Sequence, residues 1–152
     1  MPRSSSQAQV GRSLQLAAGT VLIIEDDFIQ REGLAATLRQ RGCTVLMSTD
    51  GYDALQKLSS GSLPDLILLD MLIPSSEGDG WWFLRQRRSN HALACVPVII
   101  TTAIPAVDMK WAVSLGATGV IRKPFAVESL LAEIRRCLGN TTQEGNFCSR
   151  AI

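Results

Sequence analysis

Short apolar runs alternate with amphipathic stretches along most of the chain. Each apolar run has the length of a β-strand, and each stretch after it repeats apolar residues at helical spacing. The predicted strands span residues 21–25, 44–47, 66–70, 96–101 and 119–122. The predicted helices span residues 28–41, 52–58, 81–88, 107–115 and 127–138.

This alternation predicts an α/β fold with a doubly wound, five-stranded parallel sheet. Parallel strands need crossover connections, and right-handed crossovers place helices on both faces of the sheet. The runs 66–69 and 98–100 are continuously apolar, as expected for central strands. Gly42, Gly116 and Gly139 each follow a helical pattern and are predicted to end the helices as left-handed caps.

Length and composition predict one folded domain. The chain has 152 residues, of which 46% are hydrophobic and 19% charged, enough for a sizeable core. Residues 1–19 are rich in Ser, Gln, Gly and Ala and are predicted to form a flexible arm. The domain is predicted over residues 20–139, followed by a short flexible tail, 140–152, and no output domain is expected.

Charge and hydropathy restrict the partners. The net charge is +1 and no basic stripe is evident, so direct nucleic-acid binding is not expected. Arg85, Arg87 and Arg88 are interpreted as a solvated helix face. No run reaches the roughly 18 to 20 apolar residues of a membrane span, and the start lacks a signal-peptide core. We therefore expect a cytoplasmic protein without a membrane partner, present as a monomer or weak dimer.

Cysteine and histidine usage argues against a structural metal or a disulfide framework. The 4 cysteines form no C-x-x-C pair, and we expect reduced thiols. His91 is the only histidine, and no zinc-ligand spacing surrounds it.

Polar residues gather where the predicted strands end. In open parallel sheets, function concentrates at the carboxyl ends of the strands, which share one edge. Acids that converge there would repel one another without a cation, and Mg²⁺ suits carboxylates together with a phosphate oxygen. The pattern therefore predicts a phosphoryl-transfer site with bound Mg²⁺. Its candidate residues are Glu25, Asp26, Asp70, Thr101, Thr102 and Lys123.

Four motifs resemble the receiver domain of two-component response regulators. They are V-L-I-I-E-D-D, L-I-L-L-D-M-L-I-P, P-V-I-I-T-T-A and G-A-T-G-V-I-R-K-P-F, in this order within residues 20–138. The resemblance implies a flavodoxin-like (βα)5 fold with strand order 2-1-3-4-5. It also implies a phosphoprotein that is phosphorylated by a histidine kinase or a phosphotransfer protein and signals to a downstream protein.

The resemblance assigns roles to individual residues. Asp70 is the expected phosphoacceptor. Asp26 and Asp70 are expected to bind Mg²⁺ directly, Glu25 through water, and Leu72 through its backbone carbonyl. Thr102 corresponds to the switch hydroxyl and Lys123 to the cation that pairs with Asp70 and then with the phosphate. A cis Lys123-Pro124 bond is also expected. Val120 departs from the family, because many receivers have an aromatic residue there.

Neighbouring residues allow alternative assignments. Strand alternation turns either Thr101 or Thr102 away from the site, and the motif favours Thr102. Asp27 is predicted to cap the helix that follows it rather than to bind metal. Trp81 is expected to pack inward, and Trp82 to be exposed as part of a partner surface. The alternative is that the preceding loop covers Trp82.

Three other functions compete with a phosphorylated receiver. A pseudo-receiver would bind proteins without phosphorylation, which the complete set of site residues disfavours. An aspartyl phosphohydrolase would need a second Asp at position 72, where this chain has Leu72. A flavin or nicotinamide carrier would need a phosphate-binding loop after the first strand, where Glu25, Asp26 and Asp27 would repel a phosphate. The chain is accordingly interpreted as a single-domain regulator that catalyses only its own phosphorylation and dephosphorylation.

Overall fold

A computed structural model describes residues 19–75 and 78–148, with the backbone alone for 140–148. One parallel sheet has the order β2-β1-β3-β4-β5, which confirms the expected topology. The strands are β1 (Thr20–Ile24), β2 (Thr44–Ser48), β3 (Leu66–Asp70), β4 (Val98–Thr102) and β5 (Gly119–Arg122). The helices are α1 (Phe28–Gln40), α2 (Gly51–Ser59), α3 (Gly80–Arg88), α4 (His91–Ala94), α5 (Met109–Ser114) and α6 (Val127–Cys148). The short helix α4 is absent from the sequence-based expectation.

The central strands β1, β3 and β4 are buried on both faces. Every residue of β3 and β4 is buried, so alternate side chains enter two hydrophobic clusters on opposite sides of the sheet. Leu69 and Ile100 lie in one cluster, and Leu68 and Ile99 lie in the other. Burial on both faces explains why these strands read as continuous apolar runs.

Short polar side chains begin five of the helices. In each case the side-chain oxygen of the capping residue accepts a hydrogen bond from a backbone N–H in the first turn, which otherwise has no helical partner. The five caps are Asp27, Asp50, Asp79, Asn90 and Asp108. The predicted role of Asp27 is confirmed, since its Oδ1 accepts from Gln30 N at 2.8 Å. The fourth predicted helix, 107–115, begins only at Met109 because its cap is Asp108.

Two of the three predicted glycine caps are confirmed. Gly42 and Gly116 have φ angles of 89° and 85°, a conformation that favours glycine. The prediction for Gly139 is wrong, because α6 continues through it to Cys148. Residues 140–148, expected as a flexible tail, are therefore helical. Residues 149–152 and the predicted arm, apart from Gly19, lie outside the described residues.

The expectation that Arg87 of α3 is solvated is wrong. Arg87 is 4% exposed rather than solvated, and its guanidinium donates to the carbonyl oxygens of Gly116, Ala94 and Val96 at 2.6–3.1 Å. Three carbonyls from separate turns thus replace the water that an exposed arginine would bind.

The orientations of the two tryptophans differ from the expectation. Trp82 is half-buried, packs against the core and lies near Tyr52 of α2, with ring centroids 6.4 Å apart. Trp81 is 41% exposed, and its edge meets Trp111 of α5 at 4.6 Å between centroids. The exposed tryptophan is therefore Trp81, because a tertiary neighbour covers Trp82.

The cysteines differ in state. Cys95 is disulfide-bonded, which contradicts the expectation of reduced thiols for all of them. Cys43 and Cys137 are buried thiols, and burial raises the pKa of Cys137 to about 11. Within residues 19–75 and 78–148, no helix has both the length and the apolar character of a membrane span.

Candidate functional site

Three carboxylates meet where adjacent strands end. Glu25 and Asp26 follow β1, and Asp70 is the last residue of β3, the strand that pairs directly with β1. One carboxylate oxygen from each residue lies within 4.8 Å of the others. Glu25 and Asp70 are 2% and 5% exposed, whereas Asp26 is open to solvent. The parallel topology alone places these acids together, since all strands point their carboxyl ends to the same edge.

Lys123 brings a positive charge between the two buried acids. Its Nζ lies 2.8 Å from Glu25 Oε2 and 3.2 Å from Asp70 Oδ2. The peptide bond that follows it, Lys123-Pro124, is cis, as expected. The backbone N–H of Lys123 donates to the carbonyl of Thr102 at 2.7 Å, which ties the end of β5 to the end of β4. The lysine is thus held at the acid cluster by both its backbone and its side chain.

Gln30 is a site residue that sequence reasoning missed. Its Oε1 accepts a hydrogen bond from Lys123 Nζ at 2.8 Å, while its backbone N–H donates to the helix cap Asp27. The sequence feature that could have indicated Gln30 is its position in the first turn of the helix that follows the Glu25 and Asp26 acids. Because its amide is uncharged, Gln30 orients the Lys123 ammonium without adding a further negative charge to those of Glu25 and Asp70.

The pKa of Glu25 is strongly perturbed. Burial raises it, the hydrogen bond from Lys123 lowers it, and the charge of Asp70 raises it again, to about 7. For Lys123, burial lowers the pKa, but the hydrogen bond to Glu25 and the charge of Asp70 outweigh burial and leave the pKa raised. The lysine is therefore charged at neutral pH and stabilises two acids that otherwise repel each other.

The nearby backbone and hydroxyl groups have defined partners. Asp70 Oδ1 accepts a hydrogen bond from Leu72 N at 3.0 Å, and Glu25 Oε1 accepts one from Asp27 N at 3.1 Å. Thr102 is fully buried, and its Oγ1 accepts from Ile104 N at 3.0 Å. Within the described ranges, the hydroxyl of Thr102 donates to no acceptor. Its proton is thus not engaged by any residue that the structure describes.

The acids and the lysine line one open cleft of about 290 Å³. The side chain of Thr102 does not line it, although the next residue in the chain does. The lining residues are Glu25, Asp26, Asp27, Gln30, Asp70, Leu72, Ala103 and Lys123. Most of the candidate residues from the sequence therefore share one cleft, whereas Thr102 is buried and only its neighbour Ala103 lines the cleft.

Clustered carboxylates beside a fixed ammonium, at the carboxyl ends of a 2-1-3-4-5 sheet, match a known class of signalling module. The family model for the response regulator receiver domain matches residues 21–135. The chain belongs to this family and is a receiver domain of two-component signalling.

Comparison with individual proteins agrees with the family. The chain is 36% identical over 133 residues to the response regulator MprA of Mycobacterium ulcerans, covering 87% of this chain and 55% of that protein. MprA of Mycolicibacterium vanbaalenii is 35% identical over 125 residues, covering 82% of this chain and 52% of that protein. The chain thus spans about half the length of these curated relatives.

A solved structure shows the same fold. The signal receiver domain of a signal transduction histidine kinase from Syntrophus aciditrophicus is similar with a TM-score of 0.70 and 31% identity. The similarity covers 80% of this chain and 91% of that one.

Proposed function

We propose that this chain accepts a phosphoryl group on Asp70 in a Mg²⁺-dependent reaction, from a histidine kinase or a phosphotransfer protein. The observation that carries the proposal is the position of the Asp70 carboxylate. It lies in the cleft beside two further acids and 3.2 Å from an ammonium. The phosphorylated chain then signals to a downstream protein by changing its conformation.

The two oxygens of Asp70 are held differently, which suits a nucleophile. Leu72 N–H binds Oδ1 and Lys123 binds Oδ2, so the carboxylate has a fixed orientation at the cleft. One oxygen attacks phosphorus and forms a P–O bond, while the bond from phosphorus to the donor breaks and the donor leaves with its electron pair. The product is an acyl phosphate on Asp70.

The acid cluster fits Mg²⁺. Its carboxylates are oxygen ligands close enough to share one ion, and an exposed Asp26 leaves access from solvent. Asp26 and Asp70 would bind directly, Glu25 through water, and Leu72 through its carbonyl oxygen. When bound, Mg²⁺ neutralises charge on the phosphoryl oxygens during transfer.

Lys123 supplies the second positive charge. Its ammonium already lies between Glu25 and Asp70, so it can follow the negative charge as that charge moves from the carboxylate to the phosphoryl group. Gln30 keeps the ammonium at this edge of the sheet.

Thr102 connects the phosphoryl group to the rest of the domain. Its hydroxyl can donate to a phosphoryl oxygen, because its only bond among the described residues is the one it accepts from Ile104. Movement of the hydroxyl would pull on the segment 103–107 and on α5 beyond it. Val120 is half-buried and small, so we expect the signal to pass through this segment rather than through residue 120.

The test is phosphorylation of purified protein by acetyl phosphate with Mg²⁺, followed by mass spectrometry. We expect one hydroxylamine-sensitive phosphate in the wild type and none in Asp70→Asn. Asp27→Asn is the matched control, because it removes another acid of the cleft but keeps a good helix cap. Unchanged labelling of Asp70→Asn would refute the assignment.

The alternative function is a pseudo-receiver that binds proteins without phosphorylation. Folded wild-type protein that acquires no phosphate from acetyl phosphate or from histidine kinases would favour it. The cytoplasmic location, the single-domain organisation and the absence of other enzymatic activity stay predictions alongside the main proposal.

A further inference from the structure

A groove between α3 and α5 combines apolar walls with unneutralised positive charge. It encloses about 240 Å³ and is lined by Trp81, Leu84, Arg85, Arg88 and Leu115. We call it the α3–α5 groove. It is separate from the acid-lined cleft, with which it shares no lining residue.

Trp81 makes the groove unusual for a solvated surface. The residue is 41% exposed, and its ring makes an edge-to-face contact with Trp111. A fixed, partly exposed tryptophan costs hydrophobic free energy in the isolated domain, and Trp and Arg are the side chains most often found at the centres of protein interfaces. The combination favours a surface that another molecule covers.

The charged residues that line the groove, Arg85 and Arg88, are both positive. Between residues 80 and 127 the only acid is Asp108, and its side chain is engaged as the cap of α5. The same stretch contains 6 of the 15 lysines and arginines. Arg85 has no hydrogen bond or ion pair with any residue that the structure describes, and Arg88 binds only the carbonyl of Ser114 there. Among the residues that the structure describes, no acid forms an ion pair with either cation at the groove.

We propose that the α3–α5 groove binds an acidic, apolar segment of a partner protein. One or two aliphatic or aromatic side chains would enter the groove against Trp81, and carboxylates beside them would pair with Arg85 and Arg88. Charge complementarity selects this occupant, because an apolar pocket alone would not distinguish acidic from basic segments. The small size of the groove suits a peptide segment better than a nucleic-acid backbone, which would need a longer basic track.

The probes are two synthetic 14-residue amphipathic peptides with identical leucines, one with glutamate and one with lysine at the polar positions. Binding is measured by amide chemical shifts of the full chain at physiological salt, without Mg²⁺ or a phosphoryl donor. We expect shifts in α3 and α5, and at least tenfold tighter binding of the glutamate peptide. Because no phosphorylation is involved, this result and the labelling of Asp70 succeed or fail independently.

Variants locate the binding surface. Arg85→Glu should weaken the glutamate peptide at least fivefold without unfolding the domain, since Arg85 is exposed and has no described partner. Arg39→Glu, an equal charge change at an exposed site on α1, is the control and should leave binding unchanged. Trp81→Phe should weaken binding of both peptides.

Several outcomes would overturn the proposal. Equal binding of the two peptides, or no binding, would contradict the proposed selectivity of the groove for acidic segments. Shifts confined to α1, or an Arg85→Glu variant that binds as the wild type does, would place the surface elsewhere. Tighter binding of a DNA oligonucleotide, or self-association that Arg85→Glu abolishes, would assign the groove to nucleic acid or to a second copy of this chain.

Discussion

Replacing Glu25 by Gln measures what it costs to bury this carboxylate. The side chain is 2% exposed, and its pKa rises from 4.5 to about 7, with burial as the largest cause. Between these pH values the folded protein keeps the proton of Glu25 while the unfolded protein loses it. Stability from Glu25 is therefore fully present below pH 4.5 and is lost as the pH rises to about 7.

The magnitude follows from the pKa difference. At about 1.4 kcal/mol per pH unit, the full effect is on the order of 3 kcal/mol. Gln is nearly isosteric, does not titrate and still accepts a hydrogen bond from Lys123. We therefore expect the free energy of unfolding of Glu25→Gln, relative to that of the wild type, to increase by about 2 kcal/mol as the pH rises from 5 to 8.

Urea unfolding at pH 5 and pH 8, in EDTA to exclude divalent cations, is the assay. Glu128→Gln, at an exposed position on α6, is the control and should show no pH-dependent difference from the wild type. A Glu25→Gln variant that loses stability relative to the wild type as the pH rises would refute the reasoning. It would mean that Lys123 stabilises the Glu25 carboxylate by more than burial costs.

Three other predictions concern the metal and the core. Asp26→Asn should weaken Mg²⁺ binding at least tenfold by calorimetry, because Asp26 is proposed to bind the ion directly and the substitution removes its charge, and an unchanged Kd would contradict this. Gly80→Ala should destabilise the domain by about 1–3 kcal/mol, since the added Cβ would lie 2.9 Å from backbone atoms at the end of β3. Gly33→Ala, with nothing within 4 Å, should be neutral or stabilising. Arg87→Met should cost about 3 kcal/mol in urea unfolding because three carbonyls lose their donor, whereas Arg85→Met should stay within about 0.5 kcal/mol.

The sequence by itself determined the sheet and the set of acids at its edge. Continuous apolar runs such as 66–69 indicate buried strands, and alternation with helices requires parallel crossovers. Once the strands are parallel, residues that follow them must meet at one edge. The sequence therefore predicts that Glu25 and Asp70 lie close together, although 45 positions separate them along the chain.

Only the tertiary structure decided how individual side chains pair. Lys123 lies closer to Glu25 than to Asp70 and is also held by Gln30, which depends on where the first turn of α1 lies above the sheet. Arg87 is buried where the carbonyls of Ala94, Val96 and Gly116, which follow α4 and α5 or end them, accept its hydrogen bonds. No local pattern encodes such neighbours, since periodicity describes one helix at a time.

The ends and flanks of helices were decided by tertiary structure for the same reason. Gly139 is a residue type that often ends helices, yet α6 continues through it to Cys148. Trp81 and Trp82 are adjacent and chemically identical, yet Trp82 packs against the core beside Tyr52, while Trp81 stays exposed beside Trp111. The spacing of residues along the chain determines which helices and strands form, but contacts between these elements determine which side chains are exposed to solvent.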